Sequence, residues 1–222
     1  MGIYNWLVYV WGKMPILLEG ALLTVQLTAI AVGFGFIIGI FAGMGRISKN
    51  RLIKSISVIY IDFIRGTPLL VQILIVYMGL PQIIGRPIPA MVAAIVSLSI
   101  NSGAYVAEIV RSGIQSIDKG QTEAARSLGM THSQTMIHII LPQAVRRIIP
   151  PLGNEFIAML KDSSLVSVIA LEELMRKAQL IYTRDYRPFD ILIAASIIYL
   201  IMTLSISKLV RFSERRLRTS DK

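Results

Sequence analysis

The 222-residue chain contains no cysteine, few acidic residues and a small share of charged residues overall. The absence of cysteine excludes disulfide bonds, thiolate-bound metals and thiol catalysis. Charged residues make up 16% of the chain, whereas soluble domains average about 25%. The patterns G-x-x-x-x-G-K-[ST], H-E-x-x-H and G-x-S-x-G are also absent. The chain therefore lacks the signatures of a nucleotide-binding loop, a zinc protease and a serine hydrolase.

Apolar residues dominate instead, at 54% of the chain and a mean hydropathy of +0.64. A helix that crosses a bilayer needs about 20 apolar residues, and five segments have suitable length. The sequence therefore predicts an all-α polytopic membrane protein with five transmembrane helices, in a single domain over residues 1–222. The predicted spans cover residues 16–44, 53–80, 88–110, 148–171 and 189–210. Glu155, Lys161 and Asp162 interrupt the fourth span.

The distribution of lysine and arginine predicts the orientation in the membrane. The formal net charge is +10. If the N-terminus lies outside, the inside segments hold fifteen of the 23 basic residues and the outside segments hold six. Cytoplasmic loops carry such an excess, so we expect a cell-membrane protein with a cytoplasmic C-terminus, and no nucleic acid as partner. The inside segments are 46–54, 111–147 and 208–222; the outside segments are 1–15, 80–89 and 171–187.

Aromatic residues are dense at the N-terminus, where Tyr4, Trp6, Tyr9 and Trp11 precede the first predicted span. Tryptophan and tyrosine concentrate at membrane–water interfaces. This segment is expected to lie at the interface, the alternative being a frayed start of the first helix.

The long inside segment, residues 111–147, contains a predicted short helix. Residues 121–128 are good helix formers, and a glycine flanks them on either side, where helices commonly stop. A helix of about two turns is not stable alone in water, so it needs a partner. Two central alanines keep it narrow enough to enter a groove. The residues predicted to dock that partner are Gly120, Glu123, Ala124, Ala125 and Gly129.

Five motifs follow one another along the chain. They are R-G-T-P-L-L-V-Q from Arg65, N-S-G-A-Y-V-A-E from Asn101, E-A-A from Glu123, L-P-Q-A from Leu141 and K-D-S-S-L-V-S-V-I from Lys161. In this order they resemble the polar amino-acid uptake permeases of ABC importers, a group that includes histidine, arginine and glutamine importers. The resemblance extends over nearly the whole chain from the first span onward.

The resemblance implies the type I ABC importer permease fold, in which the short cytoplasmic helix is a coupling helix. It implies a dimer of two identical or closely related permeases, docked on a cytoplasmic ABC ATPase dimer. An extracytoplasmic binding protein would deliver the amino acid. The chain itself would be non-catalytic and hold no cofactor, since ATP and magnesium would bind the ATPase. Basic amino acids such as arginine, lysine or histidine are the expected substrates, with glutamine or another polar amino acid as the alternative.

Polar residues inside the predicted spans are candidates for a substrate site, because ionisable side chains at membrane depth are costly. The candidates are Arg65, Thr67, Asn101, Tyr105, Glu108, Asp162, Ser163 and Ser164. Asn101, Tyr105 and Glu108 are spaced i, i+4 and i+7, so they share one helix face. That face is expected to contact either a polar solute or another helix. Arg65 lies three residues from Asp62, a spacing at which the two can pair.

Two helix breaks are predicted inside the spans. At the first, Thr67 is expected to be the N-cap and Pro68 the first helical residue. At the second, Asp162 and the two serines after it offer similar cap chemistry. A half-helix N-terminus at membrane depth would present free N–H groups to a substrate carboxylate. The alternative is a structural kink that a neighbouring helix satisfies.

Glycines in the first span, Gly35, Gly39 and Gly43, are spaced as in close helix–helix contacts. We expect them to serve packing and not a binding site.

Two other functions compete with the permease. A proton- or sodium-coupled secondary carrier would explain acids in the membrane, but it would not need a docking helix. A membrane-embedded enzyme is disfavoured because the only histidines, His132 and His138, lie in the predicted cytoplasmic segment.

Overall fold

The structure is all helical over the part of the chain that it describes, as predicted. The computed structural model describes residues 3–218, with side chains for residues 4–213, and no β-strand occurs in that range. The α-helices are α1 Ile3–Arg46, α2 Arg51–Gly66, α3 Leu69–Leu74, α4 Leu80–Ile84, α5 Ala90–Gln115, α6 Lys119–Ser127, α7 His132–Thr135, α8 Leu141–Asp162, α9 Leu174–Asp185 and α10 Pro188–Arg218. Short π-helices join α3 to α4 (Ile75–Gly79) and α7 to α8 (Met136–Ile140), and a 3₁₀-helix, Ser163–Ile169, extends α8.

Three helices of the described chain are long and apolar enough to cross a membrane by themselves. They are Tyr4–Arg46, Ala90–Gln115 and Pro188–Ser213. The pair Arg51–Gly66 and Leu69–Ile84 forms a fourth candidate span, bent by 105° at its break. Helix α8, which carries the charged residues that interrupt the fourth predicted span, is not among these candidate spans. The count of five spans therefore stays a prediction.

Helix α1 begins earlier than the first predicted span and includes the aromatic N-terminal residues. It is continuous over 44 residues with Pro15 inside it. At 1.5 Å per residue it is about 66 Å long, more than twice the roughly 30 Å of a hydrocarbon core. One end of α1 must therefore lie outside the hydrocarbon, which agrees with the interfacial aromatic residues expected there.

Helices α1 and α5 pack closely through the three glycines, as predicted. A Cβ atom added at Gly35 would lie 2.8 Å from Ser102 Cβ, and one added at Gly43 would lie 2.7 Å from the Ala107 carbonyl oxygen. At Gly39 the added atom would overlap the side chain of Val106. Only glycine allows the two backbones to approach this closely.

Replacing Gly39 with valine should destabilise the permease, because the α1–α5 contact must open to admit the side chain. The expected loss is about 1–3 kcal/mol, as for other overpacked cores, measured by thermal or denaturant unfolding in detergent. Gly33→Val is the matched control, since a Cβ at Gly33 meets nothing within 4 Å. Equal losses in the two variants would show that helix propensity, and not the α1–α5 contact, sets the effect.

Buried Glu173 fixes the start of α9 against α1 and α10. Its carboxylate accepts hydrogen bonds from the backbone N–H groups of Met175 (2.9 Å) and Arg176 (2.8 Å) and from the Tyr199 hydroxyl (2.9 Å). The Thr24 hydroxyl of α1 accepts the Leu174 N–H at 3.1 Å. Burial raises the pKa of Glu173, and these donors oppose that shift. Three helices thus meet at one fully buried side chain.

Candidate functional site

The break between α2 and α3 is the first element of the candidate site, and Thr67 does not cap α3 as predicted. Thr67 ends α2 in extended backbone, and its hydroxyl donates to the Phe63 carbonyl at 2.9 Å. Pro68, not Thr67, occupies the N-cap position of α3 and provides no side-chain cap. The hydroxyl donates back to α2 and accepts from the Gln72 side chain instead of from a backbone N–H of α3.

Gln72 closes this break and links it to α5. Its side-chain N–H₂ donates to the carbonyl oxygens of Ile64 (2.8 Å) and Thr67 (3.1 Å) and to the Thr67 hydroxyl (2.9 Å). Its side-chain oxygen accepts a hydrogen bond from the Asn101 amide at 2.9 Å. Gln72 and Asn101 are both buried. Asn101 therefore contacts another helix in this structure, and its role as a substrate ligand stays a prediction.

Arg65 of α2 comes together with Tyr105 and Glu108 of α5 beside the break. The Arg65 guanidinium lies 5.3 Å from the centre of the Tyr105 ring and 4.0 Å from a Glu108 carboxylate oxygen. Arg46 approaches the same carboxylate at 3.5 Å, and Arg111 also forms an ion pair with it. Glu108 is thus surrounded by arginines from α1, α2 and α5.

Asp62 pairs with a different residue from the one its spacing suggested. Its carboxylate lies 3.1 Å from the Arg46 guanidinium, at the end of α1. Arg65, three residues further along α2, contacts Tyr105 and Glu108 instead. The sequence spacing on α2 allowed a local pair, but the tertiary contacts with α1 and α5 took its place.

The second predicted break is not a new helix start. Asp162 has helical backbone and caps nothing with its side chain, and the chain continues directly into the 3₁₀-helix. The buried Ser163 hydroxyl donates to the Leu160 carbonyl at 2.8 Å, and Ser164 is partly buried. No half-helix N-terminus is therefore presented at this point of the described chain, and the helix ends later at Ala170 in the left-handed conformation.

Glu155 and Asp162 are the acidic groups of α8 that belong to the candidate site. They are seven residues apart, which places them on one face of the helix. Glu155 is buried, adjoins Ser102 of α5 and interacts electrostatically with Asp162 and Arg65. Asp162 is exposed in the isolated chain. The Arg65 end of α2 is therefore close enough to α8 for its charge to act on Glu155.

The short helix expected between the third and fourth spans, α6, forms where it was predicted. Asp118 caps its start by accepting the Gly120 N–H at 2.7 Å, so Gly120 lies inside the helix and not before it. Gly129 stops the helix with a φ of 83°. Its N–H donates to the Arg126 carbonyl, and the Met130 N–H donates to the Ala125 carbonyl. This is a Schellman motif, which favours glycine at the left-handed position.

Most of α6 is exposed in the isolated chain. Ala125 is buried against the rest of the protein, whereas Glu123 and Ala124 face outward. Leu128, at the end of the helix, is 84% exposed. A two-turn helix with one buried residue gains little stability from packing against the rest of the permease. Its exposed face is therefore a candidate interaction surface.

Sequence reasoning missed two residues that organise the site. Gln72 stood in a quoted motif but was not a candidate, although a glutamine four residues after a proline in a broken span was a usable signal. Glu173 gave no signal, because its partners are far from it in the chain. Glu155 was a membrane acid in the sequence, and in the structure the charges of Arg65 and Asp162 act on it.

The helical membrane fold with a broken second span is that of a multi-pass transport subunit. The family model for the binding-protein-dependent transport system inner membrane component matches residues 35–219. The chain therefore belongs to this family, which confirms the predicted ABC-importer permease and a transport subunit that is not itself an enzyme.

Similar proteins cover nearly the whole chain. The glutamine transport system permease protein GlnP of Escherichia coli (strain K12) is 40% identical over 94% of this chain and 96% of its own length. The arginine transport system permease protein ArtQ of Bacillus subtilis (strain 168) is 40% identical over 94% and 95%. A crystal structure of an amino acid ABC transporter with histidines matches with a TM-score of 0.91 and 48% identity, covering 94% and 97%. The fold is thus the type I importer permease fold.

A double-mutant cycle should show that Gln72 and Asn101 are coupled. Gln72→Ala leaves buried carbonyl groups and the Asn101 amide without partners, which should cost about 1–3 kcal/mol of unfolding free energy. The double variant Gln72→Ala/Asn101→Ala should lose less than the sum of the single variants, by about 0.5–3 kcal/mol. The measurement is unfolding in detergent. Additive losses would contradict a direct hydrogen bond.

Proposed function

We propose that this chain is the permease subunit of an ATP-driven importer of polar amino acids, and that cationic amino acids are its preferred substrates. The two relatives are named for amino acids of different charge: one is a permease protein for glutamine, which is neutral, and the other for arginine, which is cationic. Glutamine is therefore the alternative substrate. The observation that carries the proposal is the placement of Glu155 and Asp162 on one face of α8, with Arg65 nearby.

The charges at this site match a cationic amino acid better than a neutral one. Arg65 can bind the substrate carboxylate through its planar guanidinium. One acid of α8 can bind the α-ammonium group, which leaves the second acid for a side-chain cation. Lys161 also acts on Asp162, but adjacent helical residues point in different directions. A neutral side chain would leave one carboxylate at membrane depth without a counter-charge, which is unfavourable.

Asp162→Asn should weaken binding of arginine and lysine more than binding of glutamine. Loss of one charged hydrogen bond costs about 1.5–3 kcal/mol, which corresponds to roughly a 10- to 100-fold change in affinity. The assay is competition by unlabelled amino acids against radiolabelled uptake into liposomes that hold the permease and its ATPase. Glu155→Gln should behave in the same direction.

Lys161→Gln is the matched control, because it changes the neighbouring charge on another face of α8. It should change the competition by cationic amino acids less than Asp162→Asn does. If Asp162→Asn weakened the binding of glutamine and of arginine equally, the Asp162 carboxylate would not contact the cationic side chain of the substrate. The proposed preference for cationic substrates would then be wrong.

The proposed coupling element is α6, which is expected to dock in a groove of the cytoplasmic ATPase. Its exposed face combines Glu123, Ala124 and Leu128. Gly120 and Gly129 belong to its start and stop, and Ala125 holds it to the permease. ATP and magnesium would bind the ATPase dimer, whose closure would move each α6 and switch its permease between inward-open and outward-open states.

Ala124→Trp should block this docking, because the added ring no longer fits a groove shaped for a small side chain. Both stimulated ATPase activity and uptake should fall at least about tenfold, as for a residue at the centre of an interface. Glu123→Ala and Gly129→Ala should reduce both as well. Ser133→Trp is the control, since Ser133 is exposed on α7. Unchanged coupling in Ala124→Trp would overturn the docking role.

The proposed assembly contains a second permease copy, an ATPase dimer and an extracytoplasmic amino-acid-binding protein. The proposed orientation is an external N-terminus and a cytoplasmic C-terminus, with residues 1–222 acting as one permease domain. This orientation follows from the excess of basic residues in the inside segments. A secondary carrier would take up amino acid in liposomes without ATP, and that result would replace the ATP-driven importer.

A further inference from the structure

An apolar groove runs between α1 and α10, away from the candidate substrate site. Its volume is about 410 Å³, and its lining is almost entirely apolar. Trp6, Val10 and Trp11 line it from α1, and Ile198 and Ile201 line it from α10. Volumes of about 300–1,000 Å³ are usual for sites that bind small molecules. Both helices are candidate membrane spans, so the groove lies on a surface that lipid can reach.

A cationic group of residues lies beside this groove. Lys13 forms a 2.7 Å ion pair with Asp185, and the Tyr9 hydroxyl donates to the same carboxylate at 2.9 Å. The Arg187 guanidinium lies 4.7 Å from the centre of the Tyr9 ring. Within the side chains described, residues 4–213, no ion pair is formed by Arg187. Its guanidinium is therefore held against an aromatic ring and not by an ion pair, and Asp190, three residues further on, also acts on that ring.

The groove and the cationic group are adjacent because they use neighbouring residues in the same turns of α1. Val10 lines the groove and follows Tyr9, and Met14 lines it and follows Lys13. A single molecule with an apolar chain and an anionic head could therefore occupy both. Neither feature alone specifies such a ligand.

We propose that the groove between α1 and α10 binds an anionic phospholipid, with its phosphate on Arg187 and one acyl chain along the groove. A guanidinium matches the geometry of a phosphate and binds it through paired hydrogen bonds. The ligand supplies a negative charge to the unpaired Arg187 and covers apolar surface that the protein leaves open.

The surrounding aromatic residues favour a lipid over a second protein. Trp11 and Tyr4 are each 77% exposed, and Tyr186 and Phe189 are exposed at the junction of α9 and α10. Aromatic residues of this kind lie at the level of lipid headgroups. They place the cationic group at the interface, where the phosphates of the bilayer are.

Tryptophan fluorescence tests this proposal directly, since Trp6 and Trp11 are the only tryptophans of the chain and both line the groove. The full-length permease is reconstituted in phosphatidylcholine bilayers, and brominated lipids serve as quenchers. Brominated phosphatidylglycerol should reach half-maximal quenching at a mole fraction about fivefold lower than brominated phosphatidylcholine, the effect of one cation on an anionic lipid.

Arg187→Gln should abolish this preference, whereas Arg187→Lys should keep part of it. Arg86→Gln is the control, because Arg86 is an exposed arginine before α5 and far from the groove in the chain. Equal quenching by the two brominated lipids in the unmodified permease would overturn recognition of the headgroup. Absence of quenching by either lipid would show that protein covers the groove and would also overturn the proposal.

Discussion

The requirement that backbone polar groups be satisfied inside the bilayer controls the arrangement of this permease. The hydrocarbon core offers no water, so a helix can be broken there only where protein groups replace the lost hydrogen bonds. Gln72 does this at the α2–α3 break by donating to the Ile64 and Thr67 carbonyl oxygens. Asn101 holds Gln72 from α5. The break is therefore fixed relative to α5, and the candidate site is built on that frame.

Charge is distributed unevenly around this frame. Glu108 is neutralised by arginines that belong to α1, α2 and α5, so it acts mainly as a connection between helices. Arg65 acts electrostatically on Glu155, although it is also engaged by Glu108, and Lys161 acts on Asp162. Carboxylates that the protein leaves incompletely neutralised are those that gain most from a cationic ligand. The acids of α8 are therefore better candidates for the proposed substrate site than Glu108.

Local patterns were sufficient to predict some of this structure from the sequence. The end of α6 at Gly129 was predictable because it needs only a local left-handed turn. The packing of Gly39 on α5 was predictable because the spacing of the three glycines is typical of a close helix contact. The capping role of Thr67 was predicted wrongly, because the side chain of Gln72, five residues further on, donates to its hydroxyl in place of a backbone N–H of α3. Glu173 could not be found at all, because Thr24 and Tyr199 reach it from distant parts of the chain.

A single helix connects the proposed docking surface on α6 with the acids of the candidate site. Gln143, in the first turn of α8, donates to Gln121 of α6 at 3.4 Å, and Asp162 is the last residue of α8. The 22 residues of α8 span about 33 Å at 1.5 Å per residue. A displacement of α6 can reach Asp162 along this helix without passing through a flexible loop. Because Arg65 belongs to the separate α2–α3–α5 frame, such a displacement would change the separation between the cation and the acids that together would hold the substrate.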